Sequence, residues 1–390
     1  MTHNSNTFDF HTVIERRNTA SLKWDKYKGR DILPLWVADM DFKSPPAVLK
    51  ALQDRVEHGI FGYAIAPQAL IEIAVSMLFE QYKWQVHPDW LVWLPGLVTG
   101  LNVTCRSVGN PGDDVLTAIP VYPPFLTAPL HFDRNVVQVP LEYSDGKWGF
   151  DFEKVEKAIT PKTRLFMLCN PHNPVGRVFA QDELVRVAAI CEKHDLIVCS
   201  DEIHCGMILD KDKCHIPFAV LGKDLQNRTI TLMAPSKTYN IAGLGCSFAV
   251  ISNADIRRRF VQAMAGIVPR VNVLANTAAL AAYQDTSQWL MQLLDCLRDN
   301  RDRVFSAISQ MRGLSICHTE ATYLSWIDAR KSGLEDPTGF FENAGVGLSD
   351  GAEFGSPGFL RLNFGCPRAT LDEALRRMKS AVSNQQSIAR

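Results

Sequence analysis

A chain of 390 residues, 46% of them hydrophobic, is long enough to bury a sizeable core and divides most simply into one large domain and a smaller one. Its 41 basic and 42 acidic residues leave a formal charge of −1 with no Lys/Arg-rich block, so nothing marks a nucleic-acid or membrane-surface partner, although a small anionic ligand remains compatible. The opening MTHNSNT lacks the basic-then-apolar pattern of a signal peptide, and no stretch stays apolar for the ~18 residues of a membrane span, so a soluble, cytoplasmic protein is expected.

In chain order, residues 1–50 hold LPLWVADMDFKSPP, whose aromatic residues and prolines suit an ordered arm that joins the small domain better than a helix. Residues 51–285 are expected to form the large domain. There, β-rich runs at Leu91–Leu94, Val115–Ile119, Val136–Leu141, Arg164–Cys169, Leu196–Ser200, Thr229–Met233 and Cys246–Ile251 alternate with amphipathic stretches such as Asp151–Ile159 and Gln181–His194. That alternation predicts an α/β fold with a mainly parallel sheet flanked by helices. Residues 286–390 complete the chain. A proline-free helical stretch from Val271 through Gln310 links the parts, and strands at Leu314–His318, Thr322–Ile327 and Phe359–Phe364 with a helix at Leu371–Val382 make a smaller α+β unit.

The ten cysteines include no CxxC pair, and Cys169, Cys199 and Cys246 lie in apolar runs, as reduced core thiols do. His204, Cys205, Cys214 and His215 fit no zinc spacing, so no metal is expected.

In a parallel sheet, the loops leaving the carboxyl ends of the strands converge on one rim, where ligands gather. Three apolar runs end abruptly in polar residues: NPHNPVG brings Asn173, SDEIH brings Asp201 and APSK brings Lys237. Each alone reads equally well as a turn, a cap or a solvated lysine; an amide, a carboxylate and an amine on one rim are more specific. LPGLVTGLN starts a helix after a strand, and the free amides of Leu97 and Val98 would suit a phosphate. PVYPPF stiffens the loop that carries Tyr122, whose ring can stack on a flat ligand. Cradle, ring, amide, carboxylate and amine together meet the needs of pyridoxal 5'-phosphate: the amine condenses with its aldehyde, the carboxylate keeps its pyridine nitrogen protonated, and the amide binds its phenolic oxygen.

The segments PLWVADMDF, GIFGY, NPHNPVG, SDEIH, APSKTYNIAGL and FLRLNFGCPR run in order over nearly the whole chain. They resemble the MalY/PatB group of fold-type-I pyridoxal-phosphate enzymes, cystathionine β-lyase-like relatives of the class I/II aminotransferases. The resemblance implies Lys237 as the lysine that joins the cofactor, Asp201 at the ring nitrogen, Asn173 at the phenolic oxygen and Tyr122 on the ring face. It further implies Arg361 as partner of the substrate's α-carboxylate, a task that suits guanidinium's paired donors. By the same likeness, Tyr63 would reach the cofactor phosphate of a second subunit, making a homodimer with shared sites. Ser236 and Ala38 are expected to line the pocket.

Two departures from the wider aminotransferase pattern stand out. His204 occupies the place of a tyrosine, so an imidazole could face the phenolic oxygen or serve only in the core. Gly245 stands where many relatives place a phosphate-binding arginine, which leaves the phosphate to the helix start, Ser236 and Tyr63.

Removal of the Cα proton by the freed Lys237 amine has two outcomes. Expulsion of a Cβ thiolate gives thiol, pyruvate and ammonia; return of the proton to the cofactor gives transamination. The resemblance favours carbon–sulfur β-elimination from cystathionine, cysteine or cysteine S-conjugates, with a class I/II aminotransferase as the alternative. A non-catalytic regulator on the same fold is a third reading, weakened by the presence of Lys237, Asp201 and Arg361 together.

Overall fold

The computed structural model describes residues 8–388; the expectations for residues 1–7 of the arm and for 389–390 lie outside the described residues. Seven strands form the main sheet: β1 (Leu91–Leu94), β2 (Asp114–Ile119), β3 (Asn135–Pro140), β4 (Thr163–Cys169), β5 (Ile197–Asp201), β6 (Thr229–Met233) and β7 (Ser247–Val250). Their order across the sheet is β1-β7-β6-β5-β4-β2-β3. All run in one direction except β7, which is antiparallel to both β1 and β6. The expected mainly parallel sheet is therefore present, and each strand predicted for it is found within a residue of its expected ends.

The reason is visible in β4, which is buried on both faces. Phe166 and Leu168 point into one core, against Leu184, Val187 and Cys191 of the helix Gln181–Lys193. Leu165, Met167 and Cys169 point into the other, against Leu101 of the helix Leu97–Ser107 and Phe260 of the helix Ala254–Met264. A strand covered on both sides has no polar alternation to interrupt it, hence the continuous apolar run.

Beyond it, a four-stranded antiparallel sheet has the order Ser315–Ile316, Leu324–Asp328, Phe359–Asn363, Ser349–Asp350. Leu293, Leu297 and Val304 of the helix Trp289–Ser309 and Leu371, Leu375 and Met378 of the helix Arg368–Ile388 share a core with its Leu360 and Leu362. Leu35, Met40 and Phe42 of the arm are buried in that same core.

The stretch expected to be helical from 271 to 310 is interrupted. Helices Val273–Tyr283 and Trp289–Ser309 are separated by residues 284–288, where the Asp285 carboxylate accepts from Ser287 N (3.0 Å) and the Ser287 hydroxyl from Trp289 N (3.3 Å). Short polar side chains that bond nearby amides end a helix without any proline. The helices Pro46–His58 and Gln68–Tyr82 and the hairpin Glu142–Ser144/Lys147–Gly149 were not foreseen.

Candidate active site

The ends of β4, β5 and β6, adjacent in the sheet, open onto one cavity of about 320 Å³. Its lining includes Leu97, Val98, Tyr122, Asn173, Asp201, His204, Ser236, Lys237, Ala38 and Arg361. Ten of the eleven expected site residues are thus brought together. Tyr63 is the exception: it lies on the loop between two helices and is fully exposed.

The Lys237 amine donates to the Ala38 carbonyl at 2.5 Å. Burial first, and the Arg361 charge second, hold its pKa down at about 8, against the opposing pull of Asp39 and Asp201. Asp201, 3% exposed, accepts one bond, from Ile203 N at 3.1 Å. Burial drives its carboxyl up to about 7, because little nearby stabilises the charge. Such a carboxylate suits a cationic ligand group.

His204 packs edge-on against Tyr323, and its Nδ1 is buried without a partner. Burial, with Lys237 and Arg361 nearby, pushes its pKa down to about 3, so the ring is neutral. His215 pairs with Glu202 at 2.8 Å.

Arg361 is enclosed. Its Nη1 donates to the Asn173 side-chain oxygen (3.1 Å), its Nη2 to the Trp36 carbonyl (2.7 Å) and the Ser349 hydroxyl (3.2 Å), and it lies over the Phe354 ring. Its Nε has no partner, and among the described residues no carboxylate pairs with it. A buried cation left without an anion is built to receive one.

The loops that carry these groups are tied together. Tyr122 N donates to the Asn173 carbonyl at 3.1 Å, and the His172 ring stands between the Cys169 carbonyl (3.1 Å) and the Pro120 carbonyl (2.7 Å). At the β1 end, the helix Leu97–Ser107 begins after Gly96 with no side-chain cap, leaving its first amides free at the cavity wall. Gly245 lies against this turn with φ +69°, and a Cβ there would meet the Pro95 carbonyl oxygen at 2.8 Å. Close backbone approach, rather than a lost anion ligand, explains the glycine.

These features fit pyridoxal phosphate: an under-bonded buried carboxylate, an orphan imidazole nitrogen, an uncapped helix start and an enclosed amine share one cavity. The sequence did not single out the Ala38 carbonyl or its second partner, the Tyr323 hydroxyl, which donates to it at 3.0 Å. Main-chain oxygens leave no side-chain signal.

The family model for aminotransferase class I and II matches residues 30–378. The chain belongs to this family. It is 37% identical over 381 residues to cystathionine β-lyase PatB of Bacillus subtilis, covering 95% of this chain and 98% of that protein. Among solved structures of similar fold, OvoB superposes with a TM-score of 0.94 at 46% identity, covering 96% of this chain and 99% of that one. Cystalysin from Treponema denticola, whose structure contains a pyridoxal 5'-phosphate cofactor, superposes with a TM-score of 0.93 at 32% identity, covering 97% of this chain and 100% of that one. The matched range includes every residue that lines the cavity, and Tyr63 as well.

Proposed function

We propose that this aminotransferase-family protein is a pyridoxal-phosphate-dependent carbon–sulfur β-lyase that cleaves cystathionine, cysteine or cysteine S-conjugates to a thiol, pyruvate and ammonia. The observation that carries the reading is the half-buried Lys237 side chain, in one cavity with an under-bonded carboxylate, Asp201, and a guanidinium, Arg361, that lacks an anion. The choice of lyase over transaminase is supported by the full-length likeness to cystathionine β-lyase PatB. It is also supported by the lining, where Lys237 and Arg361 are the only lysine or arginine side chains among the described residues, leaving no second cation for a distal carboxylate.

When bound, the cofactor supplies a protonated pyridine ring that absorbs the electron pair left by loss of the Cα proton. In this reading the amides of Leu97 and Val98, with Ser236, hold its phosphate, and Tyr122 covers its ring. Asn173 and His204 would face the phenolic oxygen, and Asp201 the ring nitrogen. Lys237 would hold the aldehyde and, when its amine is free, would take the proton from Cα; a pKa near 8 leaves part of the amine unprotonated at neutral pH. Arg361 grips the substrate carboxylate through its unpartnered edge, with Ala38 beside it.

Tyr63 would serve the phosphate of a second copy in a homodimer, and a cytoplasmic location accords with there being no helix, among the described residues, long and apolar enough to cross a membrane. The division into an arm through residue 50, a cofactor-binding part over 51–285 and a closing part over 286–390 is our reading of the chain's organisation, supported by the separate core around the smaller sheet.

The test is to supply cystathionine or cysteine without any keto acid and to measure pyruvate and free thiol. Sustained release of both is expected; product that forms only when a keto-acid acceptor is added would assign the aminotransferase reaction instead.

A further inference from the structure

The arm passes the cavity at Trp36–Met40, and side chains claim its carbonyl groups one after another. Trp36 O receives Arg361 at 2.7 Å. Ala38 O receives Lys237 at 2.5 Å and the Tyr323 hydroxyl at 3.0 Å. Between these contacts the chain makes a tight turn, in which Asp39 N donates to Val37 O at 3.0 Å with Ala38 at the apex.

Both ends of that turn are held by one amide. Asn363 Nδ2 donates to Val37 O at 2.6 Å and to Asp39 O at 2.7 Å, and its Oδ1 accepts from Gly365 N at 2.7 Å. With two carbonyl oxygens on one side and an N–H on the other, the orientation of the amide is fixed by its partners. Asn363 is fully buried and stands two residues beyond Arg361, on the same face of Phe359–Asn363.

We propose that Asn363 is a positioning residue for the Lys237 amine: by gripping both ends of the Val37–Asp39 turn it aims the Ala38 carbonyl at that amine and fixes where the amine rests when it is not covalently engaged. One strand thereby sets the substrate's carboxylate anchor and, through the turn, the base. This rests on the reading of Lys237 as the reactive amine.

A well-aimed carbonyl favours the ammonium form. The other groups facing Lys237 are Arg361 from the smaller sheet, Asp39 from the arm, Asp201 at the end of β5, and the uncharged His204 and Tyr323. Arg361 and burial lower the amine's pKa; Asp39 and Asp201 raise it. Releasing the turn removes one raising influence.

The experiment uses the full chain loaded with pyridoxamine 5'-phosphate, which has no aldehyde and leaves the lysine free. Acetylation by acetic anhydride is followed at the Lys237 peptide by mass spectrometry as a function of pH. Asn363→Leu keeps the branched shape without the donors, and Asn363→Ala removes the same donors with a smaller side chain. Both variants should shift the wild-type midpoint down by about one unit. In turnover with cysteine, kcat should fall roughly 10-fold with KM within about twofold, because the base rather than the binding is displaced. An unchanged midpoint in either variant that retains wild-type thermal unfolding would overturn the proposal. Because the midpoint is read without turnover, a failure of the lyase assignment leaves this result standing.

Discussion

Asp201 carries a cost that its ligand is expected to relieve. A carboxyl whose pKa is raised in the folded state to about 7, from about 3.9 unfolded, binds its proton more tightly when folded. Its contribution to stability is full below pH ~4 and is lost as pH rises through about 7. Cofactor-free Asp201→Asn should therefore be more stable than cofactor-free wild type at pH 8, by on the order of 1 kcal/mol or more, and the gap should close near pH 4. Thermal unfolding at the two pH values checks this; a wild type as stable as the variant at pH 8 would mean that the carboxylate already has a partner. Asn173, Asp201 and Lys237 were legible in the sequence because each interrupts an apolar run. Asn363 lies in a quoted motif yet acts through main-chain oxygens of a segment more than 300 residues away, which no local pattern encodes.

At the scale of elements, the arm is fastened by a buried charge cluster. Asp41 accepts from Lys23 (2.7 Å), Arg16 (2.6 Å) and the Trp24 indole (2.9 Å), and the Lys23 side chain is fully enclosed. Lys23→Met removes one partner and leaves Asp41 short of a counter-charge, a change expected to cost about 3–5 kcal/mol in denaturant unfolding. A loss under about 1 kcal/mol would show that Arg16 and Trp24 suffice.

The turn before the helix Leu97–Ser107 is a second sensitive place. Gly245→Ala forces a methyl onto the Pro95 carbonyl at a positive φ, and the strain falls on the wall assigned to the phosphate. Fluorescence titration should show pyridoxal phosphate bound at least ~5-fold more weakly, from about 1 kcal/mol of backbone strain; unchanged affinity would separate this turn from the cofactor. The strands of the main sheet were readable since burial on both faces leaves long apolar runs. The break at 284–288 was not, since Asp285 and Ser287 act through side-chain bonds that proline-based reading ignores.

At the scale of the whole molecule, the loop that carries Tyr63 exposes Ile60, Phe61 and Ile65 as well, an apolar group at a single chain's surface. If Tyr63 completes the site of a second copy, then Tyr63→Ala and Lys237→Ala are complementary defects. Mixed dimers would contain one site with both defects and one with neither. Refolding the two variants together should restore about a quarter of wild-type activity, the statistical share of intact sites in a symmetric dimer. No recovery above the separate variants would place Tyr63's role within its own chain. The family assignment was legible over nearly the full length, whereas the position of Tyr63 relative to the cavity needed the fold: its own cavity does not contain it.

The most direct measurement is at Lys237 itself. Protein loaded with pyridoxal phosphate is reduced with borohydride, digested and mapped by mass spectrometry. The pyridoxyl group is expected on the peptide that contains Lys237, with loss of the label in Lys237→Ala. A label on another lysine, or none on this peptide, would contradict it.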